Sequence, residues 1–351
     1  MFAVAVACIA HRVALPHAAR RAVSAPRALV HLAASAGDVA TISYSLRPDM
    51  ESRAKKYGDK ADRLVESLPF DVGEARFVVN AGGYLEGIHA CVAQMAAGEK
   101  KTDVSIDSGT GDYSEEGVLT VPIDQAPKGL KAGMAVMLSG AQGQQIQATC
   151  TEMNDETLTL DANHPLAGCR FLMDVELTAL EPASAFATAT VAGGCFWGLE
   201  LAYQREPGVV GTAVGYTQGE LDEPTYEAVC SGATGHTEAV QIVYDPKMVT
   251  YERLCKRLVE RLEDNVYLLN QVGNDRGTQY RHGIYPATDE EETTAKAVLA
   301  ALGEHKSLGH PKTEVVTAVK FWPAEDHHMQ YLQKGGQNAQ KKADETIRCY
   351  G

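Results

Sequence analysis

The sequence has little basic charge, no paired-cysteine motif and no long apolar run, and each shortage excludes a class of protein. Lys and Arg number 32 against 46 Asp and Glu, a formal net charge of −14, which argues against nucleic-acid binding because that needs clustered basic residues. The eight cysteines include no Cys-x-x-Cys and no zinc-ligand spacing, so neither a disulfide framework nor a metal site is predicted. No apolar run reaches roughly 18 residues, so no membrane span is expected.

What the sequence does contain is typical of a globular protein in a reducing compartment. Hydrophobic residues make up 45% and charged residues 22% of the chain, which leaves enough apolar surface to form a core. A chain of 351 residues is too long for one ordinary domain and comfortable for two. We therefore predict a two-domain α+β protein, without a bound cofactor and monomeric.

The N-terminal stretch differs from the rest. Residues 1–37 contain four arginines and many alanines, and no acidic residue precedes Asp38. This composition is typical of an organelle transit peptide. The alternatives are a signal-peptide core that begins a two-part plastid leader, and a disordered tail. We predict that residues 1–38 target the protein to a plastid or mitochondrion.

A change of character near Pro182 predicts a domain boundary. Residues 177–190 pass from a strand-like run to small residues. Before this point the pattern predicts mostly short strands broken by glycines, with one helix-like segment at 87–100. After it, strands alternate with longer helices. We therefore expect a mostly β domain at 39–182 and an α/β domain at 187–351.

Cys195 lies in VAGGCFWGLE, directly after two glycines and before two aromatic residues. A strand-like TATVA precedes it and a helical pattern follows, so Cys195 is expected at a helix N-terminus. Unpaired amides and the helix dipole favour a thiolate there. A buried structural cysteine is the alternative, which position alone does not exclude.

Glu238 lies in a segment, TEAVQIVYDP, that reads as a strand. Its two-residue period puts Glu238 on the face of Val240 and Ile242, which we expect to be buried. A carboxyl group there would have a raised pKa and could donate a proton near neutral pH. A structurally paired carboxylate is the alternative. Glycine-marked loops supply further polar candidates: Tyr226, Asp275 and Tyr280.

Residues 187–351 resemble the peptide-methionine (S)-S-oxide reductases, the A-type methionine sulfoxide reductases. The motifs GGCFWG, TYEAVCSGATGHTEAV, VYDP, GNDRGTQYRHGIY and FWPAEDHHMQYL occur in that order. The resemblance implies that Cys195 attacks the sulfoxide sulfur and that Glu238 protonates its oxygen. It also implies roles for the neighbouring side chains: Tyr226, Asp275 and Tyr280 hold the oxygen, and Phe196 and Trp197 form the wall of a methyl pocket.

The same resemblance implies a second thiol. The first step leaves a sulfenic acid on Cys195, with which another cysteine must condense. Cys349, in a glycine-marked tail, is implied as that residue, and thioredoxin as the reductant of the Cys195–Cys349 disulfide. The bridge needs Cα atoms within roughly 7 Å. Cys230 and Cys255 are expected to be structural.

Residues 39–181 resemble an FKBP-type prolyl isomerase of the SlyD class. FVVNAGGYLEGIHACVAQMAAGEKKTDVSID, LKAGMAVML and LTLDANHPLAGCRFLMDVELTAL carry the resemblance. It implies a β insert at about 120–163 that binds unfolded chains. It also implies an isomerase pocket lined by Tyr44, Asp71, Leu85, Tyr113 and Met173. A β domain without an active pocket is the alternative. The class binds nickel through a histidine-rich tail that this chain lacks, so no metal site is expected.

Three functions follow from these patterns. The leading hypothesis is an enzyme that repairs oxidised methionine in organellar proteins, with the first domain capturing or isomerising unfolded substrate. The alternative is a folding or chaperone module whose reductase half is secondary or inactive. A Cys-His hydrolase is disfavoured, because the partners implied for Cys195 are an acid and phenols rather than a histidine base. The expected partners are oxidised or unfolded proteins and thioredoxin.

Overall fold

The computed structural model describes residues 33–49, 51, 71–81, 84–109, 111–139, 145–164 and 166–348. Residues 1–32 of the predicted targeting peptide, the side chain of Asp71 and the proposed second thiol, Cys349, lie outside the described residues. Within the described ranges, no helix is both long and apolar enough to cross a membrane.

The described chain divides into two compact units. The first falls within 42–75 and 85–178, and the second within 33–41, 76–84 and 179–348. Each unit has buried apolar residues of its own.

The N-terminal half is mostly β structure, at the positions that the sequence predicts. Its described strands are β1 (Val39–Pro48), β2 (Asp71–Val78), β3 (Lys100–Asp107), β4 (Val118–Pro122), β5 (Ala135–Ser139), β6 (Gln145–Met153), β7 (Thr157–Asp161) and β8 (Arg170–Glu181). One helix, α1 (Glu86–Val92), lies between β2 and β3. The helix-like pattern at 87–100 is therefore an over-prediction: after Ala93 the chain turns, and Gly98 takes a φ of +87° that a helix cannot contain.

Two separate sheets form from these strands. One has the order β2-β1-β8-β3 and the other the order β4-β7-β6-β5. The second sheet comes entirely from residues 118–161, and the SlyD resemblance implies a β insert at about 120–163. It has a small core of its own: Ala148, Cys150, Leu158 and Leu160.

The C-terminal part combines one mixed sheet with helices. Its strands are β9 (Ala187–Ala192), β10 (Val209–Thr217), β11 (Thr237–Tyr244), β12 (Gln271–Val272), β13 (Asp275–Arg276), β14 (Gly283–Tyr285), β15 (Glu314–Val315) and β16 (Trp322–Pro323). Its helices are α2 (Phe196–Gln204), α3 (Tyr226–Cys230), α4 (Tyr251–Leu262), α5 (Asp289–Ala300) and α6 (Tyr331–Lys334). Six strands form the sheet in the order β15-β14-β9-β11-β10-β16, and β12 pairs with β13.

Helices α2 and α4 form the core against this sheet. Helix α2 buries Phe196, Leu199 and Tyr203, which the sequence pattern places on one face. Helix α4 begins at the cap Thr250, whose hydroxyl accepts the N–H of Arg253, and it buries an apolar stripe that includes Leu258. Burial of a Leu or Phe side chain stabilises the fold by about 1.5–3 kcal/mol. This packing fixes the start of α2 next to the ends of the central strands.

Candidate active site

Cys195 is the N-cap residue of α2, as the sequence predicts. Strand β9 ends at Ala192, and two glycines turn the chain into the helix. Gly194 has a φ of +73°, and a Cβ atom there would lie 2.6 Å from the Cβ atom of Val272. Only glycine fits this turn. Cys195 therefore stands at the N-terminal end of α2, and the positive end of a helix dipole favours negative charge.

The Glu238 carboxyl group lies beside this turn. Glu238 stands on β11 opposite Tyr216 of β10, and only 1% of its surface is exposed. Its Oε2 accepts the backbone N–H of Phe196 at 2.9 Å. Burial raises the pKa of Glu238 to about 8, the Phe196 hydrogen bond lowers it, and the charge of Asp275 raises it. The carboxyl group is therefore largely protonated at neutral pH and can act as an acid.

The two candidate phenols, Tyr226 and Tyr280, both interact electrostatically with Glu238 and Cys230. Burial is the main cause that raises the pKa of Tyr226, followed by a hydrogen bond with Cys230 and the charge of Glu238. Burial also raises the pKa of Tyr280, and so do the charges of Glu238, Cys230, Asp275 and Cys195. Both phenols therefore keep their protons and can donate hydrogen bonds. The structure brings Tyr226 and Tyr280 together with the acid, Asp275 and the thiol.

Phe196 is buried more deeply in the protein than Trp197. Phe196 is buried, with its ring centroid 6.3 Å from that of Tyr226 and 6.0 Å from that of Tyr216. Trp197 is half-buried and stacks on Tyr331 with a centroid separation of 4.0 Å. Phe196 therefore forms the floor of the aromatic cluster and Trp197 forms its outer part.

Three residues of the FWPAEDHHMQYL motif support this cluster, although the sequence did not single them out as site residues. Glu325 accepts the N–H of Tyr226 and the hydroxyl of Tyr216, both at 2.9 Å. His328 accepts the indole N–H of Trp197 at 3.2 Å. Tyr331 stacks on that indole. The motif drew attention to this segment of the sequence, but the roles of its side chains follow only from these contacts in the structure.

Two other cysteines differ in their surroundings. Cys255 is buried in α4, as expected of a structural residue. Cys230 ends α3, and its thiol hydrogen-bonds the hydroxyl of Tyr226. Burial raises the pKa of Cys230, and the charges of Glu238 and Glu325 add to that effect. Cys230 therefore interacts with a candidate site residue, and its expected structural role stays a prediction.

The C-terminal tail docks at the other end of α2. The buried Arg205 donates to the backbone carbonyl groups of Asn338 and Glu345. The ammonium of Lys341 donates to the carbonyl groups of Gln204 and Val209. With nine residues, α2 is about 13 Å long at 1.5 Å per residue. This anchor is therefore separated from Cys195 by the length of the helix.

The predicted isomerase residues are spread over several elements. Tyr44 lies on β1, and its hydroxyl is 3.9 Å from the position a Cβ atom would take at Gly73 of β2. Leu85 is the N-cap residue of α1, and Tyr113 is half-buried in the stretch before β4. Met173 is fully buried on β8, so it belongs to the core of its sheet. Among the described side chains, no group of three or more His, Cys, Asp and Glu is arranged to hold a metal ion.

Comparison with known proteins yields one family. The model of the family described as peptide methionine sulfoxide reductase matches residues 187–348. The "Peptide methionine sulfoxide reductase A2-1" of Oryza sativa subsp. japonica is 50% identical over 163 residues, which are 46% of this chain and 86% of the relative. The "Peptide methionine sulfoxide reductase A4, chloroplastic" of Arabidopsis thaliana is 45% identical over 177 residues, which are 48% of this chain and 67% of the relative.

A solved structure of similar description also matches. It is the methionine sulfoxide reductase A of Corynebacterium diphtheriae, with 33% identity and a TM-score of 0.40. The match covers 47% of this chain and 82% of that one.

Proposed function

The chain belongs to the peptide methionine sulfoxide reductase family, and on that premise we propose that Cys195 reduces (S)-methionine sulfoxide, in proteins and as the free amino acid. The C-terminal part has the methionine sulfoxide reductase A activity of that family. The observation that carries the proposal is the position of the Glu238 carboxyl group beside the turn that bears Cys195. A protonated, buried Glu238 hydrogen-bonds the residue that follows a cysteine at a helix N-terminus.

In the first step the Cys195 thiolate attacks the sulfoxide sulfur while Glu238 gives its proton to the oxygen. The new bond between the two sulfur atoms and the S–O bond of the substrate then both break as the hydroxyl group passes to the Cys195 sulfur, so that methionine leaves and Cys195 is left as a sulfenic acid. The substrate sulfur gains two electrons and the Cys195 sulfur loses two. Protonation is needed because a bare oxide is a poor leaving group, and general acids contribute about 10²- to 10⁴-fold to such steps.

The neighbouring polar groups hold the oxygen before it is protonated. Tyr226 and Tyr280 keep their phenolic protons, because their pKa values are raised. Two O–H donors directed at one oxygen stabilise the charge that collects there as sulfur is attacked. Asp275 raises the pKa of Glu238 through its charge and so helps the acid to keep its proton.

The second step needs a thiol, and we assign it to Cys349. Its thiol condenses with the sulfenic acid, releases water and forms the Cys195–Cys349 disulfide. The dithiol of thioredoxin then reduces this bond by thiol–disulfide exchange. No bound cofactor is required, since every electron passes between sulfur atoms.

One experiment tests both steps. Wild type and Cys349→Ser are mixed with free methionine sulfoxide, with and without thioredoxin. We expect a single turnover from Cys349→Ser and many from wild type with thioredoxin, and no turnover from Cys195→Ala. Sustained, thioredoxin-driven turnover by Cys349→Ser would remove Cys349 from the mechanism, and reduction by Cys195→Ala would remove the nucleophile.

A second function is supported by the separate sheet of residues 118–161. Four of the large apolar side chains on and beside this sheet are between 37% and 50% exposed: Leu119, Met134, Met137 and Ile146. Exposed apolar surface of this kind is suited to binding unfolded chains. We propose that this sheet binds unfolded oxidised proteins and raises the local concentration of substrate, and that the first unit accelerates prolyl isomerisation.

Substitution of the exposed apolar residues tests this role. The double substitution Leu119→Ser with Ile146→Thr should lower the rate on an unfolded oxidised protein and leave the rate on free methionine sulfoxide unchanged. An exposed site outside the sheet, Met248→Ser, is the matched control. Equal rates on the unfolded protein for the wild type, the double variant and Met248→Ser would contradict the binding role. A proline-limited refolding assay of the same proteins tests the isomerase.

We also propose that residues 1–38 direct the protein to the plastid. The support is their arginine-rich, acid-poor composition and the relatives named as chloroplastic. A fluorescent protein that carries residues 1–38 should enter plastids, and the same fusion with its arginines changed to glutamine should stay outside. Import into mitochondria alone would contradict the proposal.

A further inference from the structure

Glu325 lies behind the candidate pocket and joins two of its elements. One carboxylate oxygen accepts the backbone N–H of Tyr226, the first residue of α3. The other accepts the hydroxyl of Tyr216 on β10. The cap residue Thr225 accepts the N–H of Ala228, and the first N–H groups of a helix have no partner inside it. Glu325 therefore supplies the contact that fixes the start of α3, from which the Tyr226 phenol projects.

The charge state of Glu325 suits this role. Burial raises the pKa of its carboxyl group, but the hydrogen bonds from the backbone and from the Tyr216 hydroxyl outweigh that effect, so the pKa is lower than usual. The group is an anion at neutral pH. Hydrogen bonds to an ionised acceptor are about twice as strong as neutral ones, so the start of α3 is held firmly.

His328 completes the support on the side of Trp197. It is buried, with its ring centroid 4.5 Å from that of Tyr226 and 5.5 Å from that of Phe196. Burial, with the charge of His327, lowers the pKa of His328 to about 4, so the ring is neutral. Since its Nδ1 accepts the indole N–H of Trp197, its proton is on Nε2, which lies 3.9 Å from a carboxylate oxygen of Glu325.

We infer that Glu325 and His328 are positioning residues of the sulfoxide pocket: Glu325 orients Tyr226, and His328 orients Trp197. The inference rests on the proposed roles of Tyr226 and Trp197. Neither positioning residue touches the reacting atoms in this proposal. Their effect is geometric, because a pocket donor displaced by about 1 Å can cost about a hundredfold in rate.

A double-mutant cycle tests Glu325 against Tyr226. Glu325→Gln keeps one acceptor and loses the charge, whereas Glu325→Met loses both acceptors at similar volume. In the wild-type background, kcat/KM for free methionine sulfoxide should fall by about tenfold to a hundredfold for Glu325→Met and by less for Glu325→Gln. In the Tyr226→Phe background, Glu325→Met should cost less than about threefold more, because the hydroxyl that it orients is already gone.

A second cycle tests His328 against Trp197. His328→Phe keeps an aromatic ring and loses the acceptor, and His328→Asn retains a side-chain acceptor. We expect His328→Phe to raise KM by about tenfold with little change in kcat, and His328→Asn to restore part of the loss. In the Trp197→Phe background, which lacks the indole N–H, His328→Phe should have little further effect.

The outcomes separate this inference from the proposed reaction. Equal losses in both backgrounds, accompanied by equal drops in the thermal midpoint, would show that Glu325 and His328 are only structural. Wild-type activity from Tyr226→Phe would also overturn the inference, while leaving the reduction at Cys195 intact. Reduction that persists in Cys195→Ala would overturn the proposed function by a measurement that does not involve Glu325 or His328.

Discussion

At the scale of single residues, the acid beside the thiol makes the sharpest prediction. Glu238→Gln keeps an acceptor for the Phe196 N–H but has no proton to give. We expect kcat for methionine sulfoxide to fall by about 10²- to 10⁴-fold, with KM nearly unchanged.

The pH dependence checks the same residue. Because burial raises the pKa of Glu238 to about 8, wild-type kcat should decline as the pH rises through about 8, where the acid loses its proton. Glu238→Gln should lack this decline. A Glu238→Gln enzyme with the wild-type rate and pH profile would exclude Glu238 as the acid.

The sequence indicated the candidate reacting residues more clearly than the residues that hold them in place. Cys195 and Glu238 were candidates because a thiol at a helix start and an acid in an apolar strand have unusual chemistry, and the family resemblance then implied their roles. Glu325 carries no such signal, since a lone carboxylate in a polar segment is ordinary. Its partner Tyr226 is 99 positions away in the chain. A local sequence pattern does not predict a contact between residues so far apart.

At the scale of elements, a second buried acid, Glu200, connects α2 to β10 and to the segment before α6 through hydrogen bonds. Glu200 accepts the hydroxyl of Thr212 on β10 at 3.1 Å and the N–H of Gln330 at 2.8 Å. Burial raises the pKa of Glu200 to about 8, although both hydrogen bonds and the charge of Lys334 lower it. The folded protein therefore holds a proton that the unfolded chain, with an ordinary value of 4.5, releases in neutral solution.

This difference predicts a loss of stability as the pH rises. The unfolded chain binds fewer protons than the folded protein between about pH 4.5 and about pH 8, so the free energy of unfolding falls across that window. Glu200→Gln should flatten the fall, because an amide does not titrate. Urea unfolding at pH 6 and pH 8.5 measures it. If the free energy of unfolding changed by the same amount between pH 6 and pH 8.5 in wild type and in Glu200→Gln, Glu200 would not be the cause of the fall.

The positions of the strands were predictable from the sequence, whereas the burial of both faces of a central strand was not. The strands of the N-terminal half follow clear runs of β-favouring residues between glycines. On β11, by contrast, Thr237, Glu238, Ala239 and Val240 are all buried, because this strand is central to the sheet. Alternation alone therefore could not separate the functional face of β11 from the other, and the burial of Glu238 followed from its central position.

At the scale of the whole molecule, the two proposed activities should be separable. Cys195→Ala should abolish sulfoxide reduction and leave binding of unfolded protein unchanged, because the exposed apolar residues of the separate sheet lie at 119–146. Binding is measured by suppression of aggregation of an unfolded client, and reduction by release of methionine. Loss of both activities in a correctly folded Cys195→Ala would contradict two independent functions.

The sequence predicts two domains with a boundary near Pro182. The change near Pro182 falls between β8 and β9. The compact units, however, assign 33–41 and 76–84 to the same unit as the C-terminal part. Such an assignment depends on contacts between distant segments, which composition and local periodicity do not encode.

The hydrogen bond between Glu238 and the N–H of Phe196 keeps the proposed acid beside the helix end that bears Cys195. In the proposed reaction the Cys195 sulfur carries the negative charge at the start, and Glu238 is neutral. After reaction the sulfur is a neutral sulfenic acid and the carboxylate is charged. Both positions adjoin the first turn of α2, so the same helix end stabilises the charge in each state. In the proposed reaction one unit of negative charge therefore passes from the Cys195 sulfur to the Glu238 carboxylate, and both groups adjoin the same helix end.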